Sequence, residues 1–212
     1  MESPLHFYSP GSAVSTTTHG LPHWHQQEAT FFATFRLADA VPDDALRAFR
    51  IQREEWIEMH PPRPWPPDLE REFNRRFTGR FERWLDRGYG SCLLRNSGNA
   101  KIVEDTLRHF EGERSRLHAW VVMPNHVHVL ASLVGDVTIA QLMKSWKGFT
   151  ARQINERGGK SGPLWQKNYF DRLIRDWDHF GKCVQYIRKN PDKAGLKKGE
   201  YLQGESDLAR RM

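Results

Sequence analysis

The chain has 212 residues, which is enough for one domain with a sizeable insertion. Hydrophobic residues make up 38%, and the two cysteines, Cys92 and Cys183, form no metal-ligand spacing and imply no disulfide framework. No apolar run approaches the roughly 20 residues that a membrane span requires, and the N-terminus lacks the pattern of a signal peptide. The composition therefore argues against a disulfide-stabilised secreted protein and against a membrane protein, and it indicates a cytoplasmic location.

Positive charge is concentrated in one part of the sequence. The formal net charge is +6, but residues 138–200 hold fourteen Lys or Arg and six Asp or Glu, a net of +8, while the rest of the chain sums to −2. Aromatic residues make up 12% and include eight tryptophans. Cationic and aromatic side chains together suit the binding of single-stranded nucleic acid. A solvated basic surface, with the rings filling the core, explains the same numbers equally well.

The first half of the chain predicts a tail, a strand and a helical insertion. Residues 1–20 are rich in Ser, Thr, Pro and Gly, and predict a flexible N-terminal tail. Residues 29–37 carry β-formers and predict the first strand. The insertion, residues 43–88, has a helical and highly charged pattern that is interrupted by a proline-rich run, residues 60–67. Since no helix crosses such a run, we expect two helices joined by a stiff proline segment.

A short helix and a tight hairpin are predicted next. Hydrophobic residues recur at helical spacing over residues 99–110. Two β-rich stretches follow, at 117–123 and 126–133, and Pro124-Asn125 between them has the chemistry of a tight turn. These features predict an antiparallel hairpin in the middle of the chain.

The remaining elements complete a mixed fold. We expect an amphipathic helix over 138–157, a strand within 164–175, a helix over 177–190 that ends at Pro191, and a C-terminal tail over 201–212. The resulting order, with its central hairpin, indicates an α+β fold. We expect an antiparallel, ferredoxin-like (RRM-like) sheet with helices packed on it, formed by one domain over residues 21–200.

A histidine pair on the second hairpin strand is the strongest candidate for a metal site. Side chains alternate between the faces of a strand, so His126 and His128 share one face. The hairpin would hold the two imidazoles rigidly side by side, as metal ligands require. A second pair, His23 and His25, flanks Trp24, and fewer neighbouring structural features would fix the orientation of these rings. For this pair we favour a role in packing or in DNA contact. The alternative for the first pair is two partly exposed histidines on an ordinary sheet.

The last long helix offers a candidate nucleophile. Tyr186 and Asn190 are four residues apart and therefore lie on one helix face. Tyr186 falls roughly 120° from the centre of the apolar stripe, so core packing does not account for it. The phenol and the amide would face the histidine pair across a cleft. A tyrosine at the boundary of the core, in contact with water, is the alternative.

These motifs together are similar to those of a known family. The segment HAWVVMPNHVH (residues 118–128), followed by YIRKNP (residues 186–191), resembles the REP-associated tyrosine transposases, in the single-tyrosine branch of HUH enzymes. The resemblance extends over roughly residues 21–200. It implies a ferredoxin-like catalytic sheet in which Tyr186 is the nucleophile and in which the metal ligands are His126, His128 and Asn190. The wider group often has glutamine in place of Asn190, and the insertion departs from the compact pattern.

The resemblance also implies a reaction. Such an enzyme uses Mg²⁺ or Mn²⁺ to cleave single-stranded DNA at hairpin-forming palindromic repeats, forms a 5′-phosphotyrosine intermediate and rejoins the strand elsewhere. It would act as a monomer or a homodimer. The candidates for contacting the DNA backbone are Lys144, Lys147, Arg172, Arg175 and Lys189.

Other classes of function fit parts of the same pattern. A non-catalytic protein that binds single-stranded nucleic acid on an RRM-like sheet is the main alternative. A metal-independent phosphoesterase would need two His-x-Ser/Thr motifs, and the chain has no convincing pair of them. A structural metal protein is weaker still, because only three plausible ligands converge.

Overall fold

The computed structural model describes residues 5–9, 11, 15–19, 21–61 and 65–212, and the side chains of residues 15–19 and 21–25 lie outside that description. The strands are β1 (Ser15–His19), β2 (Leu21–His25), β3 (Thr30–Arg36), β4 (Ser115–Val122), β5 (His126–Leu133), β6 (Phe170–Leu173) and β7 (Leu202–Glu205). The helices are α1 (Asp43–Glu58), α2 (Pro67–Phe73), α3 (Gly79–Asp86), α4 (Ser97–Arg108), α5 (Ile139–Gly158), α6 (Trp177–Lys193) and α7 (Asp207–Arg210). A π-helical turn, Asn74–Thr78, joins α2 to α3, and a 3-10 turn, Leu93–Arg95, precedes α4.

The main sheet has five antiparallel strands in the order β6-β3-β5-β4-β7. Without the edge strand β7, the succession β3-α4-β4-β5-α5-β6 gives the strand order of a ferredoxin-like unit. The predicted α+β fold, an antiparallel sheet with helices packed on it, is therefore confirmed. Strands β1 and β2 form a separate two-stranded sheet.

Alternation along β5 sorts its side chains between two hydrophobic layers. Val127, Val129 and Ala131 belong to the core beneath α4 and α5. On the opposite face, Leu130 packs in a second cluster with residues of α6 such as Val184. Because the period of a strand is two, His126 and His128 lie on the α6 face.

Local signals fix where the long helices begin and end. Thr138 and Gln141 form a capping box at the start of α5, and Gly159, in the left-handed region with φ 59°, ends it. The Asp176 carboxylate accepts a hydrogen bond from the His179 backbone N–H at 2.7 Å and caps α6. The register of α6 on the sheet follows from this start and from its apolar stripe.

The insertion forms its own small aromatic core. It contains α1, α2 and α3, and its five buried rings are Phe49, Trp56, Trp65, Phe73 and Phe77. Residues 62–64 of the predicted proline segment lie outside the described residues. Leu46 and Leu85, near the two ends of the insertion, belong to the main core instead. The insertion is thus anchored to the main core at both ends.

The C-terminal segment is not the tail that its sequence predicted. Residues 201–212 contain β7 and α7, and β7 pairs with β4. The Arg188 guanidinium donates two hydrogen bonds, each of 2.9 Å, to the Glu205 carboxylate, which ties β7 to α6. Gly204 lies so close to Trp120 that a Cβ there would come within 2.1 Å of the indole. These tertiary contacts, rather than an alternating hydrophobic pattern, hold β7 at the edge of the main sheet.

Two further predictions, one about the end of α6 and one about the N-terminal segment, were wrong in part. Helix α6 does not end before Pro191 but continues to Lys193. Proline lacks one backbone N–H hydrogen bond, but packing already holds this end of the helix, so the helix continues through it. In the predicted N-terminal tail, the backbone of His6 and Tyr8 bonds to Thr30 and Ile174. Residues 1–4, 10, 12–14 and 20 lie outside the described part. No helix in the described residues is long and apolar enough to cross a membrane.

Candidate active site

The two histidines of β5 lie side by side with their Nε2 atoms facing each other. His126 Nε2 and His128 Nε2 are 3.1 Å apart, and both rings are buried. Burial lowers the pKa of His126 to about 3 and lowers the pKa of His128 well below its usual value. Both imidazoles are therefore neutral at physiological pH, which is the form that binds metal ions.

A hydrogen bond on the far side of each ring fixes its orientation. His126 Nδ1 lies 2.8 Å from Asn125 Oδ1, and His128 Nδ1 lies 2.7 Å from Thr34 Oγ1. Because the amide oxygen only accepts, His126 carries its proton on Nδ1 and keeps an Nε2 lone pair. Partners of this kind on the outer nitrogen are typical of metal-binding histidines.

Tyr186 lies against this histidine pair. Its ring meets the His128 ring edge to face, with centroids 5.2 Å apart, and also packs on Phe32 at 5.7 Å. The Lys193 ammonium sits 4.8 Å from the centre of the tyrosine ring. Helix α6 therefore brings the predicted nucleophile to the face of the sheet that carries the predicted metal ligands.

Asn190 completes the cluster one helical turn further along α6. Its side chain lies close enough to the Tyr186 hydroxyl and to the His126 ring to affect the pKa of both groups. Its Oδ1 atom is nevertheless buried without a hydrogen bond of good geometry. A buried, unsatisfied carbonyl oxygen is costly unless a further partner approaches it.

The insertion contributes two carboxylates that the sequence did not single out. The Glu82 carboxylate lies close enough to the Tyr186 hydroxyl to interact with it. Burial raises the pKa of Glu82, and burial together with Glu82 raises the pKa of Asp86 to about 6. Burial first, and then the charges of these two carboxylates, raises the pKa of the Tyr186 phenol.

A cavity of about 340 Å³ lies between the insertion and the main sheet. His128 and Thr34 line it from the sheet, and Glu82 and Phe81 line it from the insertion. The cavity thus gives access to the histidine cluster from the side of the insertion.

The predicted DNA-binding residues occupy different surroundings. Arg172 lies on β6 opposite Phe32, with its guanidinium 5.2 Å from that ring, and its charge acts on both His128 and Glu82. Arg175 is exposed where β6 leads into α6, and Lys189 is exposed on α6.

The two predicted cations on α5 lie on the other face of the sheet, away from the histidines. Lys144 is exposed. Lys147 donates to the backbone carbonyls of Gln166 and Lys167, each at 2.8 Å, and burial lowers its pKa to about 8. The Lys147 ammonium therefore stabilises the segment before β6 through these two hydrogen bonds. The other predicted contacts, His23 and His25, lie on β2, where the side chains are outside the described part.

The donor set around the histidines fits a hard divalent cation. Cis ligands of a six-coordinate ion with bonds of ~2.1 Å lie roughly 3 Å apart, close to the observed separation of the two Nε2 atoms. Over the described residues, no three His, Cys, Asp or Glu side chains group around one point. The unsatisfied Oδ1 of Asn190 is a further oxygen donor beside the two histidines.

Comparison with protein families identifies the same part of the chain. Residues 95–190 match the family model described as IS200-like transposase. The transposase resemblance predicted from the sequence is thereby confirmed. The IS200-like segment contains the hairpin with both histidines, and it runs through Tyr186 to Asn190. It leaves β3 and the insertion outside the match.

Individual proteins are similar at low identity. A Haemophilus influenzae protein with no functional description is 22% identical, over 36% of this chain and 54% of that protein, so the chain spans about half the length of the curated relative it matches. A structure of a REP-associated tyrosine transposase bound to a REP hairpin has 16% identity and a TM-score of 0.43, covering 85% of this chain and 77% of that one. A proposed transposase from Deinococcus radiodurans has 13% identity and a TM-score of 0.31, covering 82% and 96%.

Proposed function

We propose that this protein is a metal-dependent endonuclease and transposase that cleaves single-stranded DNA through a 5′-phosphotyrosine intermediate. The observation that carries the proposal is the position of Tyr186, whose ring lies 5.2 Å from His128 with the unsatisfied Asn190 oxygen one turn away. A nucleophile, two neutral imidazoles and an amide oxygen on one face are the parts that such a reaction needs. Hairpin-forming palindromic repeats are the substrates that the sequence resemblance implies.

His126 Nε2, His128 Nε2 and Asn190 Oδ1 would hold Mg²⁺ or Mn²⁺. Imidazole and amide donors in an incomplete set leave positions for water and phosphate oxygens, which suits these ions better than a closed zinc site. When bound, the cation would polarise the scissile phosphate and offset its negative charge. The hydrogen bonds that His126 and His128 form with Asn125 and Thr34 through their Nδ1 atoms hold both rings in position for the cation.

Tyr186 would attack the phosphorus atom of the strand. A bond forms between Tyr186 Oη and phosphorus, and the bond from phosphorus to the 3′-oxygen breaks, leaving a free 3′-hydroxyl. The 5′-phosphate stays on the tyrosine, so the energy of the phosphodiester is kept and the strand can be rejoined to another 3′-end. Packing of the ring on Phe32 and His128 restricts water at the linkage, which favours rejoining over hydrolysis.

We infer that the DNA backbone approaches over the α6 and β6 side of the sheet. Arg172 and Arg175 are exposed there, and Arg172 acts electrostatically on His128. The rings of Phe170 and Trp177 are 40% and 50% exposed on the same side, which makes them available for stacking on unpaired bases.

A covalent-capture experiment tests this function. A pool of hairpin-bearing single-stranded oligonucleotides with randomised stems and flanks is incubated with protein and Mn²⁺ and then resolved on a denaturing gel. We expect an adduct with the wild type that disappears in Tyr186→Phe, in His128→Ala and in chelator, and that persists in the matched control Tyr201→Phe. Binding by the wild type without an adduct under any metal condition would instead favour the non-catalytic nucleic-acid-binding alternative.

A further inference from the structure

Helix α3 of the insertion brings a carboxylate to the hydroxyl of the proposed nucleophile. The Glu82 carboxylate lies close enough to the Tyr186 hydroxyl to interact with it, and both Glu82 and His128 line the cavity between the insertion and the sheet. Two side chains among the described residues interact with the Tyr186 hydroxyl at close range: Asn190 has an amide, and Glu82 has a basic carboxylate oxygen. Asp86, one turn further along α3, acts on the phenol through its charge alone.

The position of Glu82 is fixed by packing on both sides of the helix. Leu85 of α3 is buried in the main core, and Phe81 packs against both the main core and the aromatic core of the insertion. Asn125 donates to the carbonyl of Leu85 at 3.2 Å, while its oxygen faces His126 Nδ1. The same asparagine therefore connects the end of α3 to the histidine pair.

The proximity of the Glu82 carboxylate to the Tyr186 hydroxyl implies a role in proton transfer. Two imidazoles that face each other across 3.1 Å direct their free nitrogens at the proposed cation, so they are not oriented to take the phenolic proton. Burial also raises the pKa of Glu82, which makes its carboxylate a stronger proton acceptor than an exposed one. The insertion that carries Glu82 lies outside residues 95–190, the segment that matches the transposase family.

We propose that Glu82 is the catalytic proton acceptor for Tyr186 in strand cleavage, an inference that rests on the proposed function. As the bond from Tyr186 Oη to phosphorus forms, the O–H bond breaks and its proton passes to the Glu82 carboxylate. The departing 3′-oxygen takes a proton from water. In rejoining, a 3′-hydroxyl loses its proton to water as it attacks phosphorus, the tyrosine leaves, and Glu82 returns the proton to the phenolic oxygen.

Substitution by glutamine separates proton transfer from positioning. Glutamine keeps the size of the side chain and an oxygen that accepts a hydrogen bond, but it does not take up a proton. We expect Glu82→Gln to slow single-turnover adduct formation by a factor on the order of 10²–10⁴ while leaving the affinity for the oligonucleotide pool within about threefold of wild type. Glu82→Asp should recover part of the rate, and Glu54→Gln, a matched change in the same cavity, should leave it unaltered.

A modified substrate identifies which proton is involved. One oligonucleotide recovered as an adduct is synthesised with sulfur in place of the bridging 3′-oxygen, so that the leaving group needs no proton. The defect of Glu82→Gln should persist on this substrate, because the phenol must still lose its proton. Recovery of the rate on the sulfur substrate, or a rate for Glu82→Gln within about threefold of wild type on the ordinary one, would overturn the assignment while leaving the nuclease proposal standing. Absence of an adduct with the wild type itself would remove both.

Discussion

Tyr186 and His128 meet edge to face, with ring centroids 5.2 Å apart, although one lies on α6 and the other on β5. Strand alternation sets the face of His128, and the apolar stripe of α6 packs Val184 and Ile187 on that same face. With the stripe buried, the tyrosine at its margin is directed along the sheet surface toward the histidines. The arrangement thus follows from two simple periodicities and the packing that joins them.

Asn190 should act as a metal ligand rather than as a packing residue. Asn190→Ala removes the unsatisfied Oδ1, so we expect the affinity for Mn²⁺ to fall at least about tenfold, as it should in His126→Ala and His128→Ala. Asn190→Asp supplies a charged oxygen and should bind Mn²⁺ more tightly than the wild type. Titration followed by electron paramagnetic resonance of free Mn²⁺ gives these affinities. His118→Gln changes a buried histidine that is bonded to Ser132 and serves as the control. Unchanged affinity in Asn190→Ala would rule out this ligand.

Arg172 and Lys144 should differ in their importance for DNA, although both are exposed cations. Arg172 lies on the face of the histidines, and Lys144 lies on α5 across the sheet. We expect Arg172→Gln to weaken binding of single-stranded DNA severalfold and to lower the slope of log affinity against log salt by about one unit or less. Lys144→Gln should have little effect on either quantity. Fluorescence anisotropy over a range of salt concentrations measures both, and equal losses in the two variants would place the DNA path elsewhere.

The ion pair between Arg188 and Glu205 should stabilise the fold that carries the proposed nucleophile. The pair is bidentate and its carboxylate is only 13% exposed, so Glu205→Ala should lower the free energy of unfolding by roughly 1–3 kcal/mol. Lys182 and Asp178 form an exposed pair on the same helix, and Asp178→Ala should cost less than ~0.5 kcal/mol. Urea unfolding of the single and double variants gives the coupling energy. A coupling near zero for the first pair would show that packing alone holds β7.

Burial of His118 should make the protein less stable in mild acid. Its pKa is lowered from 6.5 to about 4, first by burial and then by Arg116. Below pH 6.5 the unfolded chain binds a proton that the folded protein excludes until about pH 4, so stability falls across that window. We expect the loss between pH 7.5 and pH 5 to be roughly 2 kcal/mol smaller in His118→Gln than in the wild type. His126 and His128 shift in the same direction, so a residual slope should remain. Equal slopes in variant and wild type would contradict the burial argument.

The elements with strong local sequence patterns were predictable, and so was the face on which each carries its candidate site residues. The Pro124-Asn125 turn fixed the hairpin, alternation placed His126 and His128 together, and the helical period separated Tyr186 from the buried stripe. These features depend on neighbours in sequence, which is why the hairpin, the shared face of the two histidines and the position of Tyr186 on α6 follow from the residues alone.

The parts that were missed depend on contacts between distant segments. Strand β7 has the sequence LQGE, which lacks alternating hydrophobic residues, and it is held by Arg188 and by the indole of Trp120 over Gly204. Lys193 reaches the tyrosine ring only because α6 continues through Pro191. Glu82 belongs to a highly charged helix in which no local signal distinguishes it from its neighbours.

Mass spectrometry of the covalent adduct tests the central claim most directly. After reaction with the hairpin-bearing pool and nuclease trimming, trypsin should release the peptide Cys183–Arg188, which contains Tyr186. We expect this peptide to carry a nucleotide through a 5′-phosphate on the Tyr186 oxygen. A nucleotide attached at another residue, or a cleaved strand with no protein-bound nucleotide, would contradict the assignment of Tyr186 as the nucleophile.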